Sequence, residues 1–439
     1  MKAKQVFNFQ GGRELQASGA IPTAAHWPSP ADKAAFHGPA GEFARILEPF
    51  SEADPIGLLA QTLVSFGNVA GRGPHFRVEA DRHAMNLYAV MVGATSKARK
   101  GTSEGRTRAL ISQCDDSWAS NRILAGMSSG EGLIWAVRDP ISKQEPIKEK
   151  GILKGYQDVE ADPGITDKRL LVVESEFASV LRQLERDGNT LSAIIRQAWD
   201  SGDLRTMTKN SPAVATGAHI SIIGHITESE LRRYLGATEQ GNGFANRFLW
   251  LCAQRSKFLP ENEDRQGFEK ALAPVVEQFR RAQAFARTVG EVRRDEIART
   301  YWRAVYRDLS QGKPGLLGAV TSRGEAQVMR LALVYALLDC SAEIRGVHLK
   351  AALALWEYAE RSCAYIFGDA TGNPDADVIL KALRNTSAGL TRTEINGLFG
   401  RNRPANTIAH ALDELESVGL VRSDPVATGG RAAEIWRAL

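Results

Sequence analysis

Cysteine is scarce: the chain holds four in 439 residues, Cys114, Cys252, Cys340 and Cys363, with no C-x-x-C and no Cys/His pair at metal spacing. That spacing speaks against a structural zinc site, and thiols this sparse suit a reducing, cytoplasmic setting. No apolar run reaches about 18 residues and the first residues, MKAKQVFNFQGGREL, carry no long apolar core, so neither a membrane span nor a secretory leader is expected. A dominant charge sign is missing too. Lys+Arg number 55 against 51 Asp+Glu, a formal net charge of +4, so any nucleic-acid footprint has to be local. No period of about 20 to 50 residues recurs, which excludes a repeat array. The remainder is ordinary for a globular chain, 43% apolar and 24% charged, and long enough for two to four domains.

One stretch organises the rest. Leu87 to Val92 is a short apolar run that turns at Gly93 into a basic, hydroxyl-rich loop, Gly93-Ala-Thr-Ser-Lys-Ala-Arg-Lys-Gly-Thr-Ser103, and Thr107 to Ile111 suggests a helix leaving it. Strand, tight basic loop and helix are the parts of a phosphate cradle, where backbone N–H groups and a helix N-terminus meet phosphate oxygens and a lysine reaches the terminal phosphates. The usual G-x-x-x-x-G-K-[ST] order is altered, because Lys100 precedes Gly101 here. The candidate phosphate contacts are Gly93, Thr95, Lys97, Arg99, Lys100, Gly101, Thr102 and Ser103, with Thr102 or Ser103 supplying a magnesium hydroxyl. The bland alternative is a basic surface turn after a strand.

Three later phrases bear on that choice. Leu170 to Val173 is a buried-strand pattern that runs into Glu174 and Glu176. An acid at the C-terminal end of a parallel strand is placed to hold the magnesium shell and orient water, unless the strand merely runs out into a solvated acidic loop. His219 to Gly224 is a third apolar strand that ends in His225, a candidate γ-phosphate sensor or a structural histidine. Gly241 to Leu251 leads through Arg247 into a fourth strand, and Arg247 is a candidate arginine finger for a neighbouring subunit or a surface arginine beside a strand.

The flanks read more simply. Residues 1–40 form a proline-dotted arm, 41–80 an N-terminal helical segment, 81–260 the α/β core and 261–370 a helical module in which Arg323 is a nucleotide-touching candidate. Residues 139 to 167 read as a solvated insertion. Residues 375–439 read as helix, helix, helix and hairpin, a winged-helix pattern. Arg401, Arg403, Asn406, Thr407 and His410 would lie on its third helix and Arg431 in its wing, where donors meet phosphates and base edges, although many such modules bind proteins instead.

Val92 to Ser103, Ser129-Gly-Glu-Gly-Leu133, Leu171 to Phe177, Gly224-His-Ile-Thr227 and Asn246-Arg-Phe248 together resemble a family of mobile-element and prophage proteins, grouped as a domain of unknown function with RecA/DnaB-like or primase-associated helicase ATPases. The resemblance covers about residues 35 to 370, and the helical module with its winged-helix tail is similar in layout to MCM-type AAA+ helicases. It implies a P-loop NTPase fold of α/β class, ATP and Mg2+ as ligands, and DNA, single-stranded or forked, as partner. It also implies a ring-shaped homo-oligomer, and a primase or other replication protein as a further partner. The competing expectation is a DNA-binding initiator or regulator whose core binds nucleotide without productive hydrolysis.

Overall fold

The computed structural model describes residues 27–94, 100–149, 152–207, 213–261, 265–313, 315–368, 371, 373–417, 419–426 and 433–439. Its centre is a five-stranded sheet. In chain order the strands are β1 (Tyr88–Gly93), β2 (Ile123–Leu124), β3 (Arg169–Glu174), β4 (His219–Thr227) and β5 (Phe248–Cys252). They lie side by side as β5-β1-β4-β3-β2, and every pairing is parallel. The all-apolar runs follow from this, since a parallel sheet is covered on both faces.

One face is covered by α1 (Pro55–Ala70) and α2 (Lys100–Ser112). Asp54 caps α1 through its Oδ1, which accepts from Ile56 N at 3.1 Å, and Pro55 sits in the first turn where its missing N–H costs nothing. Gly71, at φ 87°, ends the helix. Every residue from Ile56 to Ala70 is buried, because α1 lies between the sheet and the outer helices α5 (Arg265–Ala286) and α7 (Gly324–Leu338). The opposite face is covered by α3 (Phe177–Leu184) and α4 (Leu191–Asp200). Alternation along each strand divides the core: Ala89, Met91, Leu171 and Ile223 face α1, whereas Val90, Val92, Val172 and Ile222 face α3 and α4.

The remaining helices of this region, α6 (Glu296–Ser310) and α8 (Gly346–Phe367), complete the helical layer. α8 runs along the outer edge of β5, where Tyr358 Oη donates to Cys252 O at 2.7 Å and Cys252 N donates to Ser362 Oγ at 3.1 Å. Helices α5, α7 and α8 share one hydrophobic core with the sheet. The segment 41–80 is likewise part of that core through α1.

Two differences from the sequence reading concern β structure. The stretch expected to be a solvated insertion is a long antiparallel hairpin, Ile141–Glu149 with Ile152–Asp162, whose side chains are largely exposed. Its charged, poorly alternating sequence hides the ladder, because neither face is buried to impose a pattern. β2 is only two residues long, at the end of Ser117 to Leu124, a stretch whose sequence suggests a helix and which is helical only as far as Asn121.

After residue 371 the chain forms a unit with its own core, built from Ile379, Leu383, Ile395, Ile408, Leu412 and Trp436. Helices Pro374–Arg384, Arg392–Leu398 and Ala405–Ser417 precede a hairpin, Val421–Val426 with Ala433–Ala438, and Leu390–Thr391 adds a third strand. A capping box joins Thr391 and Glu394, and another joins Thr227 and Glu230. Among the described residues no helix is long and apolar enough to cross a membrane.

Candidate functional site

β1 and β4 are neighbours, but the helices that follow them leave on opposite faces. α2 packs against α1, and the helix Glu228–Tyr234 buries Leu231 in the core under α3. This is a topological switch point, and the crevice beyond the carboxyl ends of the strands at such a point is where an open α/β sheet binds its ligand. Gly93 and Thr227 are register partners there, and Glu174 pairs with Gly224 one strand over.

The start of α2 is the helical wall of the crevice. Lys100 and Gly101 begin the helix, and Gly101 has no atom within 4 Å of the place a side chain would take. The backbone N–H groups of such a first turn have no partner within the helix and are those expected to meet an anion. The two hydroxyls of this turn differ. Thr102 is exposed, whereas Ser103 is buried and its Oγ accepts from Gln61 Nε2 at 2.6 Å. Gln61 Oε1 in turn lies 3.3 Å from His225 Nε2. His225, Gln61 and Ser103 thus form a buried polar chain from the end of β4, across α1, to the first turn of α2. Thr95, Lys97 and Arg99 lie outside the described residues, as does the side chain of Lys100.

Glu174 turns to the other face. Its Oε1 accepts from Gly126 N and Met127 N, both at 2.7 Å, which ties the loop after β2 to the end of β3. Its Oε2 accepts no hydrogen bond among the described residues. Gly224 leaves room beside it, since a Cβ there would stand 2.7 Å from the Phe177 ring. Glu176 is exposed at the cap of α3, with its carboxylate making no cap bond. Glu174, Glu176, His225, Thr102 and Ser103 therefore gather at one end of the sheet.

A cavity of about 900 Å³ opens next to this end. Its wall is anchored near this end, since Gln254, whose N–H donates to Asp54 Oδ2 at 2.9 Å, follows Ala253, whose N–H donates to Val92 O at 2.9 Å. Trp27, Phe36 and Tyr358 supply aromatic walls. Burial pushes the Asp54 carboxyl above its ordinary range, opposed by the two N–H groups it accepts. An apolar cavity with a few polar groups is the form of a small-molecule site.

Arg247 and Arg323 are not at this end. Arg247 precedes β5 and so lies at the amino edge of the sheet, buried, with Nη2 2.6 Å from Asp200 Oδ2 and its guanidinium over the Trp199 ring at 5.6 Å. Arg323, at the start of α7, lies 3.6 Å from Asp200 and 5.2 Å from the same ring. Arg323, the nucleotide-touching candidate of the helical module, thus lies at the amino edge, with the sheet between it and the crevice at the carboxyl edge of its own chain. Arg247, expected to project, is turned inward because Asp200 and the Gly243 carbonyl both accept from it. Arg330 completes the cluster, fully buried 3.7 Å from the Trp199 ring, donating to Asn86 O at 2.8 Å and Trp199 O at 2.8 Å. Burial pulls its pKa down to about 9.

In the tail, Arg401, Arg403, Asn406 and His410 are exposed and Thr407 is half-buried, all on or just before the helix Ala405–Ser417. Arg403 is held by Asp375, with Nε 3.1 Å from Oδ1. Arg431 lies outside the described residues.

Sequence reasoning misses Gln61, the cavity and the role of Trp199. Gln61 is visible as a lone amide inside an apolar helix. The cavity is not visible, because its walls come from segments some 300 residues apart, from Trp27 to Tyr358.

No protein-family model matches this sequence, and no curated protein matches it.

Proposed function

We propose that this chain binds ATP with Mg2+ at the carboxyl edge of its sheet and couples hydrolysis to work on DNA, as an oligomeric motor of the helicase class. The observation that carries the reading is the convergence, at one switch point, of Gly93, the first turn of α2, two strand-end carboxylates and a large aromatic cavity. The phosphates would meet the N–H groups of Gly101 to Ser103, and the base would enter the cavity between Trp27 and Tyr358. Thr102 fits the metal ligand better than Ser103, whose hydroxyl is engaged by Gln61. Magnesium, held by Thr102, would supply neutralisation of the phosphate charge there. Glu176, or Glu174 through its second oxygen, would orient the attacking water. His225 would report phosphate occupancy through Gln61.

The tail supports the DNA part of the proposal. Three helices followed by an antiparallel hairpin match the element order of a winged helix, and the third of these helices presents Arg401, Asn406 and His410 to solvent. The more open guanidinium of Arg323, rather than the enclosed Arg247, is the better candidate to reach a neighbouring subunit's nucleotide. The test is ATP turnover by the full chain with and without single-stranded DNA. DNA-stimulated turnover that falls at least a hundredfold in Thr102→Ala and in Glu176→Gln supports the reading, and turnover unchanged in both overturns it.

One observation favours a second reading, a nucleotide-binding initiator or regulator without productive hydrolysis. The better-buried acid, Glu174, is already engaged by Gly126 and Met127. Saturable ATP binding with no turnover on any DNA would select it.

A further inference from the structure

A second cleft, of about 670 Å³, lies away from the carboxyl edge, between the hairpin His75–Val78/Asp81–Ala84, the segment Glu291–Arg294 and α6. Helix α6 turns an unusual stripe toward it. Arg299, Trp302, Arg303 and Tyr306 stand at i, i+3, i+4 and i+7, the spacing of one helix face, and Arg299, Trp302 and Tyr306 line the cleft. Such a face normally carries core residues. Here Tyr306 is 50% exposed, and Arg299 and Arg303 are exposed as well. The two rings lie 5.6 Å apart at 53°, so they form a short aromatic ladder.

The charges of the cleft are not balanced locally. Arg77 and Arg293 share Glu291, at 3.3 and 2.9 Å. Among the described residues Arg299 reaches only Glu296, at 3.4 Å on the exposed side. Arg294 lies over the Trp302 ring at 5.0 Å, and its buried Nη1 has no hydrogen-bond partner among the described residues. Burial pulls the Arg294 pKa down, and the like charges of Arg299 and Arg303 add to that. Glu79 and Glu325 also border the cleft, but neither forms an ion pair with Arg294. Three guanidinium groups crowded beside two accessible rings make a place where a planar base can stack while its phosphate meets arginine donors.

We propose that this cleft is a second binding site, taking one nucleotide unit of a single-stranded nucleic acid, with the base on Trp302 and Tyr306 and the phosphate on Arg294 and Arg299. A polymer is favoured over a free nucleotide by the shape of the site. Its walls are exposed along α6, and the ladder continues to Tyr306 at the open side, so the strand can enter and leave. The inference goes beyond the nucleotide site at the carboxyl edge and is tested without ATP or turnover.

The experiment uses the full chain and an oligothymidylate carrying 5-iodouracil, irradiated and mapped by peptide mass spectrometry, together with anisotropy titrations of the unmodified oligomer. The expected result is an adduct within residues 296–310 and a loss of affinity of about tenfold or more in Arg299→Glu/Tyr306→Ala, with its thermal transition unchanged. The salt dependence of binding should also weaken by about 0.7 in log–log slope for each phosphate that the double substitution releases. Adducts confined to residues 375–439, an affinity change under twofold, no binding at all, or displacement by equimolar thymidine monophosphate would each overturn the proposal.

Discussion

The two ends of the central sheet are built from the same five strands and treat charge in opposite ways. At the amino edge, Arg247 and Arg330 are buried against Trp199, and Asp200, Asn86 and backbone carbonyls accept from them, while Arg323 beside the same ring stays half-buried. At the carboxyl edge, α2 begins beside the crevice, Thr102 and Glu176 are exposed, and an aromatic cavity stands open. Interactions closed within the fold hold it together. Groups left open are available to a ligand. An arginine next to a strand is therefore not by itself a site, and the burial and partners of each guanidinium decide its role.

If that contrast holds, the largest stability loss belongs to the amino edge. Arg330→Ala removes a fully buried side chain and strands the backbone and side-chain oxygens of Asn86, which should cost about 3 kcal/mol. Urea denaturation measures it, and Arg330→Met, which keeps most of the volume, should lose less. A loss under about 1 kcal/mol would contradict the closed role assigned to this edge. At the carboxyl edge, Glu174→Ala orphans two backbone N–H groups and should cost about 2 kcal/mol, whereas Glu174→Gln keeps an acceptor and should be nearly neutral to stability. If Glu174 orients water, the Gln variant loses turnover while its melting temperature stays put.

A pH titration probes the same contrast. His219 begins β4 at the amino edge, buried, with Nε2–H donating to Gly67 O at 2.8 Å, and burial pulls its pKa down to about 3. The unfolded chain takes up this proton near pH 6.5, and the folded chain does not until about pH 3. The stabilisation is therefore fully present above pH 6.5 and is lost as pH falls between those values, by about 1.4 kcal/mol per pH unit. Chemical denaturation at about pH 7, 6 and 5 should show this slope, reduced by that amount in His219→Asn. The smallest stability effect is expected in the tail: Arg403→Ala breaks an exposed pair with Asp375 and should change stability by less than about 0.5 kcal/mol. If the tail binds DNA as proposed, the effect of this substitution is expected in DNA affinity instead.

Much of the sheet is legible in the sequence because four of its strands are short apolar runs, three of them ending at a polar or glycine residue, and a run of that kind needs no tertiary information. The candidate acids and His225 are reached from strand ends alone. Tertiary context supplies the rest. β2 gains its strand character only from β3 beside it. The hairpin 141–162 lacks a buried face, so its sequence carries no period to read. Arg247 and Arg323 cannot be sorted by sequence, since whether a guanidinium projects or folds back depends on Asp200 and Trp199, more than 40 and 120 residues away respectively. The cavity and the α6 cleft are likewise properties of assembled walls.

The packing of α8 on β5 also bears on assembly. Tyr358 and Ser362 occupy the carbonyl and N–H of Cys252 on the outer side of the sheet, and at the far side β2 offers only two residues of ladder. A copy of this chain that approached the sheet at Cys252 would therefore meet side chains of α8 in place of a free carbonyl and N–H, which blunts that end of the edge strand against pairing with another backbone.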